Sequence, residues 1–414
     1  MNVLVVPSWY PHRCFPREGI YVRDQAMLLG EMFPSWRIGL ALWHQGRNLL
    51  TRAHALHSPR CVVDALLDRA LREERLSENV VAWTIPTLVL PERLRQGNRE
   101  SILRSVREAA RRMTERWGRI DLIHAHVAYP GGWAAMRLSA EVGIPYVITE
   151  HMGPFPLPVY RESNGRLPSF IREPLERADA CIAVSPALAT EIQGHDLPPV
   201  EVVPNVVDER RYDPTRSGDP GRFTFFTLCQ MVRAKGIEDL LEGAARMLGR
   251  LTQSERARVR FRIAGKGPDL PAFRGLSRRL GLGENVQWIE GYLEREESRD
   301  EFERCDAFVL PSHKESFGIV YVEAMACGKP SIATRCGGPE SILDPDTGVL
   351  IEVGDVAALA GALETLFRNA GRYDRARIRA TFERRFSRRA VAAALEATYA
   401  RVLAREPRTR VAAP

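Results

Sequence analysis

PSHKESFGIVYVEAMACGKPSIATRCGGP, Pro311–Pro339, holds two glutamates eight positions apart, Glu315 and Glu323, on either side of Phe317-Gly318. The preceding Asp306–Leu310, DAFVL, reads as a short buried strand. Ile319–Ala326 reads as a helix that Gly328 and Pro330 stop. The unit is strand, loop, helix, strand, which puts both acids at the carboxyl edge of a parallel sheet. Open α/β folds bind their ligands at that edge.

The spacing has a physical consequence. A helix N-terminus presents unpaired N–H groups and the positive end of its dipole, a seat for phosphate. Gly318, Ile319 and Val320 supply those amides, with Gly318 letting the backbone approach closely. Glu315 lies in the loop before the seat, and Glu323 stands about 6 Å along the helix axis. One acid is then placed for a group on one side of a diphosphate and the other for a hydroxyl pair on the far side. A sugar nucleotide has that layout. Two isolated glutamates would read more simply as solvated helix-end acids, but the SFG between them and the CGKPSIATRCGG after them favour a ligand.

The same residues resemble the E-x7-E region of the retaining glycosyltransferases of family four, as found in bacterial polysaccharide and glycolipid synthesis. The resemblance implies a GT-B fold: α/β, two doubly wound Rossmann-like domains facing a central cleft, with the C-terminal helix crossing back to the first domain. On that expectation residues 1–207, with about 387–404, form an acceptor-side domain. Residues 208–386 form the nucleotide-sugar domain, and 405–414 a disordered tail.

Composition agrees with two soluble domains. The chain has 414 residues, a formal charge of +7, and no apolar run near the ~20 residues of a membrane span. Met1-Asn2 leads directly into VLVV and Pro7 without a basic n-region, so no secretory signal is expected. Seven scattered cysteines without a CxxC read as buried thiols in a reducing cytosol, not as a disulfide framework or zinc site. Nothing resembles a nucleic-acid module. Only four basic residues are lysine, Lys235, Lys266, Lys314 and Lys329. Each adjoins a glycine-rich or acidic motif, as if kept where a compact point charge suits better than a planar fork.

Along the chain, Asn2–Val6 is a buried strand, followed by the loop SWYPHRCFPREG and a helix opened by Gly19. Strands are expected at 37–43 and 80–85, with 47–78 partly helical. Arg99–Trp117 is an amphipathic helix: Ile102, Leu103, Val106, Ala110, Met113 and Trp117 share one face, and Arg104, Arg107, Arg111, Arg112 and Arg116 the other. It reads as a surface helix packed on the sheet, or as a docking face for an anionic membrane surface. Asp121–His126 is a strand with His124 and His126 on one face, but without a third ligand pattern zinc is discounted. His151, after the strand at 146–149, lines the cleft or sits in the core. PNVVD at 204–208 and the following prolines and glycines read as a hinge. Strand 223–228 then runs into CQMVRAKGIEDL, where Lys235-Gly236 heads a helix as a second phosphate seat.

The resemblance supplies roles. Glu315 and His126 are the expected catalytic residues. Gly19, Asn205, Arg233, Lys235, Leu293, Phe317, Gly318, Ile319, Val320 and Glu323 are the expected donor contacts. No DxD-like cluster is present, so no metal and no cofactor are expected; the donor, a UDP- or GDP-sugar, is a substrate. The acceptor is expected to be a glycan or lipid-linked hydroxyl, and the location the cytoplasm or the inner face of the plasma membrane. One departure stands out: the family carries an arginine about five residues before the lysine, where this chain has Gln230, and Arg233, two residues before the lysine, is the candidate substitute. Two alternatives share the architecture, a GT-B epimerase or glucan synthase. A third is a noncatalytic nucleotide-sugar-binding protein.

Overall fold

Apolar runs form the strands at the centre of each sheet, as a parallel sheet covered on both faces requires. The structure is a computed structural model that describes residues 1–12, 17–43, 70–87, 98–162, 165–291 and 293–405. The chain divides into two units, Met1–Val206 with the chain from Val391 onward, and Val207–Ala390.

Unit 1 is built on eight strands: β1 (Asn2–Pro7), β2 (Arg37–Leu42), β3 (Arg72–Arg75), β4 (Val80–Thr84), β5 (Leu122–His126), β6 (Tyr146–Glu150), β7 (Ala180–Ala183) and β8 (Val200–Val202). Their order is β3-β4-β2-β1-β5-β6-β7-β8, all parallel except the β3–β4 pair. The order runs outward in both directions from β1 and β5, so the topological switch lies between them. Register sets Pro7 beside His126, and His126 beside Thr149. The helices are α1 (Ile20–Met32), α2 (Arg99–Trp117), α3 (Trp133–Val142), α4 (Ser169–Arg177) and α5 (Pro186–Gln193). The α5 start has an ordinary chemical cause: Ser185 Oγ accepts the Leu188 amide at 3.1 Å, with Pro186 at the first helical position.

Unit 2 is a six-stranded parallel sheet of β9 (Phe223–Leu228), β10 (Val259–Gly265), β11 (Val286–Glu290), β12 (Ala307–Leu310), β13 (Ser331–Thr334) and β14 (Gly348–Ile351), ordered β11-β10-β9-β12-β13-β14. Here the switch lies between β9 and β12. Around the sheet run α6 (Ile237–Gly249), α7 (Gln253–Arg258), α8 (Leu270–Arg279), α9 (Arg295–Arg304), α10 (Ile319–Ala326), α11 (Val356–Arg368) and α12 (Arg375–Phe386). The last helix, α13 (Arg388–Leu403), returns the chain to unit 1. There its Val391, Leu395 and Tyr399 join a core with Val3, Val5, Leu29 and Leu40.

The expectations for 47–78 and for the tail fall mostly on residues outside those described. The part of 47–78 that is described contains no helix; it carries β3, whose four residues REER are all exposed. This is an antiparallel edge strand, where charge is tolerated because one side meets water. The rest of that segment lies outside the described residues, as does the tail beyond Arg405. Among the described residues no helix is long and apolar enough to cross a membrane.

Candidate functional site

At the unit 2 switch point, the loops after β9 and β12 are stitched together. Gly236 has φ of 66°, and a Cβ there would stand 1.8 Å from the carbonyl oxygen of Pro311. Only glycine fits. The His313 amide donates to the Ala234 carbonyl at 2.8 Å across the same junction. This approach brings Lys235 Nζ to 2.6 Å from Glu315 Oε1, which also accepts from Ser312 Oγ at 2.9 Å. The side chains of Lys235 and Glu315 are 24% and 12% exposed, so the pair is only partly screened. The Glu315 backbone is held from the other side: its amide donates to Cys336 and its carbonyl accepts from Gly338. Sequence separations of 80 and about 20 residues thus converge on one carboxylate.

Gly318 follows with φ of 94°, opening α10. A Cβ at this position would meet the Tyr321 ring at 2.6 Å. Ile319 and Val320 begin the helix, so no intrahelical carbonyl precedes their amides. Glu323, the fifth residue of α10, accepts from the Tyr212 hydroxyl at 2.8 Å. Burial, with Glu323 adding to it, pushes the Tyr212 phenol well above its ordinary range, so Tyr212 remains a donor that orients this carboxylate. The sequence alone gave no sign of Tyr212.

The remaining expected donor contacts of unit 2 fall outside this group or behind it. Phe317 is buried with its ring toward Phe386, which makes it a support for the Gly318 turn. Leu293 is buried just before α9. Arg233 is 69% exposed and pairs with Glu238 at 3.5 Å instead of joining Lys235 and Glu315. Gln230 is exposed. Of the other lysines, Lys329 is buried and donates to the Arg216 carbonyl at 3.2 Å, apart from these motif loops.

The unit 1 switch point carries a chain of imidazoles. His124 and His126 stack with centroids 4.4 Å apart, as the period of a strand requires. His124 bonds Tyr399 of α13 at 2.5 Å and Thr149 at 2.8 Å. Gln25 of α1 reaches both rings, at 3.4 and 3.5 Å. His126 Nδ1 lies 3.0 Å from His151 Nε2, and His151 stacks on Tyr21 at 4.1 Å. Burial pushes His124 and His151 down to about 3, and His126 well below its ordinary value, with the neighbouring rings adding to that. All three are neutral near pH 7, each with one N–H and one lone-pair nitrogen. His126 is buried with both nitrogens engaged. His151 is the less buried end of the chain, and among the described residues its Nδ1 has no partner. Gly19 caps α1 against the Trp9 carbonyl, and Asn205 is buried in the extended stretch after β8. Among the described residues no cluster of His, Cys, Asp or Glu is placed to hold a metal ion.

The basic face of α2 is largely neutralised. Arg107 forms two bonds to Glu141, Arg111 pairs with Glu108 and Glu115, Arg112 with Glu108, and Arg116 with Glu73. The face is therefore mixed in charge, and its ion pairs are exposed ones.

Two acids and a lysine thus lie at the edge of one doubly wound sheet, and histidines at the edge of another. The chain matches the glycosyl transferases group 1 model over residues 211–382 and the glycosyltransferase family 4 model over residues 45–211. It is 31% identical over 343 residues to a D-inositol 3-phosphate glycosyltransferase of Arthrobacter sp., covering 75% of this chain and 78% of that one. The protein belongs to the family 4 glycosyltransferases. Its fold is GT-B: sucrose-phosphate synthase from Thermosynechococcus elongatus superposes with a TM-score of 0.69 at 19% identity, covering 97% of this chain and 99% of that one. HepE of Anabaena, in complex with UDP, does so with a TM-score of 0.67 at 17% identity, covering 97% and 100%.

Proposed function

We propose that the protein is a retaining hexosyltransferase that takes a UDP- or GDP-sugar as donor and a hydroxyl of a glycan or lipid-linked acceptor, in cell-surface polysaccharide synthesis, without a metal ion or other cofactor. The observation that carries this reading is the Lys235–Glu315 pair beside the Gly318 helix start, at the switch point of unit 2.

In the reaction the bond between the anomeric carbon and the β-phosphate oxygen breaks, and its electron pair stays on the phosphate. The acceptor oxygen bonds to the same face of the sugar, and its proton passes to the departing phosphate. Negative charge therefore grows on the β-phosphate, and preorganised positive groups there lower the barrier most. Glu315 accepts a hydrogen bond from one of the three ammonium N–H groups of Lys235, leaving the other two for the phosphate. The amides of Gly318, Ile319 and Val320 supply the rest of the seat. Arg233 contributes only by leaving Glu238. Glu315 orients sugar hydroxyls and steadies the cationic anomeric centre, while Glu323, oriented by Tyr212, accepts from the ribose. In unit 1, His151 offers its ring to substrate hydroxyls, and His126 acts through it.

Incubation with a panel of UDP-, GDP- and ADP-sugars in the presence of EDTA, following nucleoside diphosphate release, tests the reading. Release from at least one UDP- or GDP-sugar that Glu315→Ala abolishes is the expected result. Equal release by the variant, or release only with added metal, contradicts it.

A further inference from the structure

Among the described residues three non-glycine residues have positive φ: Asn98, Val127 and Asp196. Asn and Asp adopt that region readily, but a β-branched valine does so only under constraint. Val127, with φ of 71° and ψ of 132°, directly follows His126. Strain of this kind persists only where surrounding bonds over-determine it. Here the Val127 amide donates to the Thr149 carbonyl at 2.8 Å, and its carbonyl accepts from Gly132 at 3.0 Å and from Ser8 Oγ at 3.3 Å. The next amide, Ala128, donates to Glu150 Oε2 at 2.9 Å.

Glu150 closes β6 and is 1% exposed. Its other oxygen, Oε1, accepts the amides of His151 at 2.7 Å and Met152 at 2.8 Å. Among the described residues no cation pairs with it, so these three amides are what make a buried carboxylate tolerable. They come from two loops, one leaving His126 and one carrying His151.

We propose that Glu150 is a positioning residue: its carboxylate clamps the strained turn at Val127 to the start of the β6 loop, and so fixes His126 and His151 against each other. This rests on the reading of those histidines as substrate-facing. A carboxylate is required because three donors converge on two acceptor oxygens. An amide of the same shape would set an NH2 group against at least one of them.

Glu150→Gln, His151→Gln and the double variant test the inference, with turnover, nucleoside diphosphate affinity and histidine side-chain 15N spectra as readouts. The inference predicts that Glu150→Gln lowers kcat by about a hundredfold, as expected for misplaced rather than missing groups. Nucleotide affinity, a property of unit 2, stays within about twofold of wild type, well inside 1 kcal/mol. The resonances of His126 and His151 move while those of His195 and His313 do not. The double variant is no worse than His151→Gln within about threefold, because the two act as one unit. Wild-type turnover in Glu150→Gln, or losses that multiply in the double variant, overturn the proposal. A silent His151→Gln beside a damaged Glu150→Gln also overturns it, since Glu150 would then act by another route. If His151→Gln and Glu150→Gln are both silent, the substrate-facing reading of the histidines falls as well. Should Glu150→Gln not fold, hydrogen exchange in the wild type decides. The amides of Ala128, His151 and Met152 should exchange as slowly as the sheet amide of Ile148. Exchange as fast as Glu162 contradicts the clamp.

Discussion

Lys235→Met removes the ammonium at the switch point of unit 2 while keeping most of the stem's volume. Two effects follow, and their sizes differ. Among the described residues Glu315 keeps only the Ser312 hydroxyl as a side-chain donor, and its side chain is 12% exposed. Fully exposed pairs are worth about 0–1 kcal/mol and breaking buried ones costs about 3–5, so this partly buried pair should cost on the order of 1–3 kcal/mol of stability. Loss of a positive group aimed at charge that develops in the transition state costs about 2.7–4 kcal/mol, or 10²–10³ in kcat. A second substitution separates the two. Glu315→Gln in the same chain removes the stranded carboxylate, so the double variant should regain most of its stability in urea unfolding. Its turnover should stay at least about a hundredfold down, because neither catalytic group has been restored. A purely structural ion pair would recover both. Turnover of the double variant near wild type, or turnover of Lys235→Met within about threefold of it, would refute the reasoning; threefold is only about 0.65 kcal/mol.

Other outcomes follow from the same geometry. Glu323→Ala should weaken nucleoside diphosphate binding about tenfold, or 1.4 kcal/mol, with little change in kcat once donor is saturating, measured by calorimetry and initial rates. Gly318→Ala forces a side chain into a φ of 94° and against the Tyr321 ring, and should lower stability by about 1–3 kcal/mol and nucleotide affinity with it. Arg233→Ala should change turnover by less than about threefold, a barrier change below 1 kcal/mol, since its side chain stands away on Glu238. Stability should fall on acidification. His124, His126 and His151 are held neutral in the folded state, while the unfolded chain takes up protons below about pH 6.5. Each costs about 1.4 kcal/mol per pH unit below that point, so three together remove about 4 kcal/mol between pH 7.5 and 5.5. Glu150, whose carboxyl is raised by burial, offsets part of this at lower pH. Denaturant curves that coincide at the two pH values would contradict the buried neutral chain.

Much of the architecture was legible because parallel strands covered on both faces must be apolar throughout. Asn2–Val6 and Phe223–Leu228 announce themselves, and Gly318 with Gly328 and Pro330 bounds α10. Elements without that signature were not legible. β3 is charged on both faces, and α12, RARIRATFERRF, hides its Ile378, Phe382 and Phe386 among arginines. At the site, local chemistry was readable and partnership was not. The Gly318 turn and the helix start after it were readable, but Tyr212 reaches Glu323 from 111 residues away. The pairing of His126 with His151 depends on the β5–β6 register. The α2 arginines show the same division: Glu108 and Glu115 lie on their own helix, whereas Glu73 and Glu141 arrive through the fold.

Lys235 and the start of α10 form the proposed β-phosphate seat. Calorimetric titration of the diphosphate and the monophosphate of the preferred nucleoside, in EDTA, into wild type and Lys235→Met measures that seat directly. The diphosphate should bind wild type at least about tenfold more tightly than the monophosphate, a margin of 1.4 kcal/mol, and Lys235→Met should lose most of that margin. Equal affinity of wild type for the two nucleotides would contradict the account.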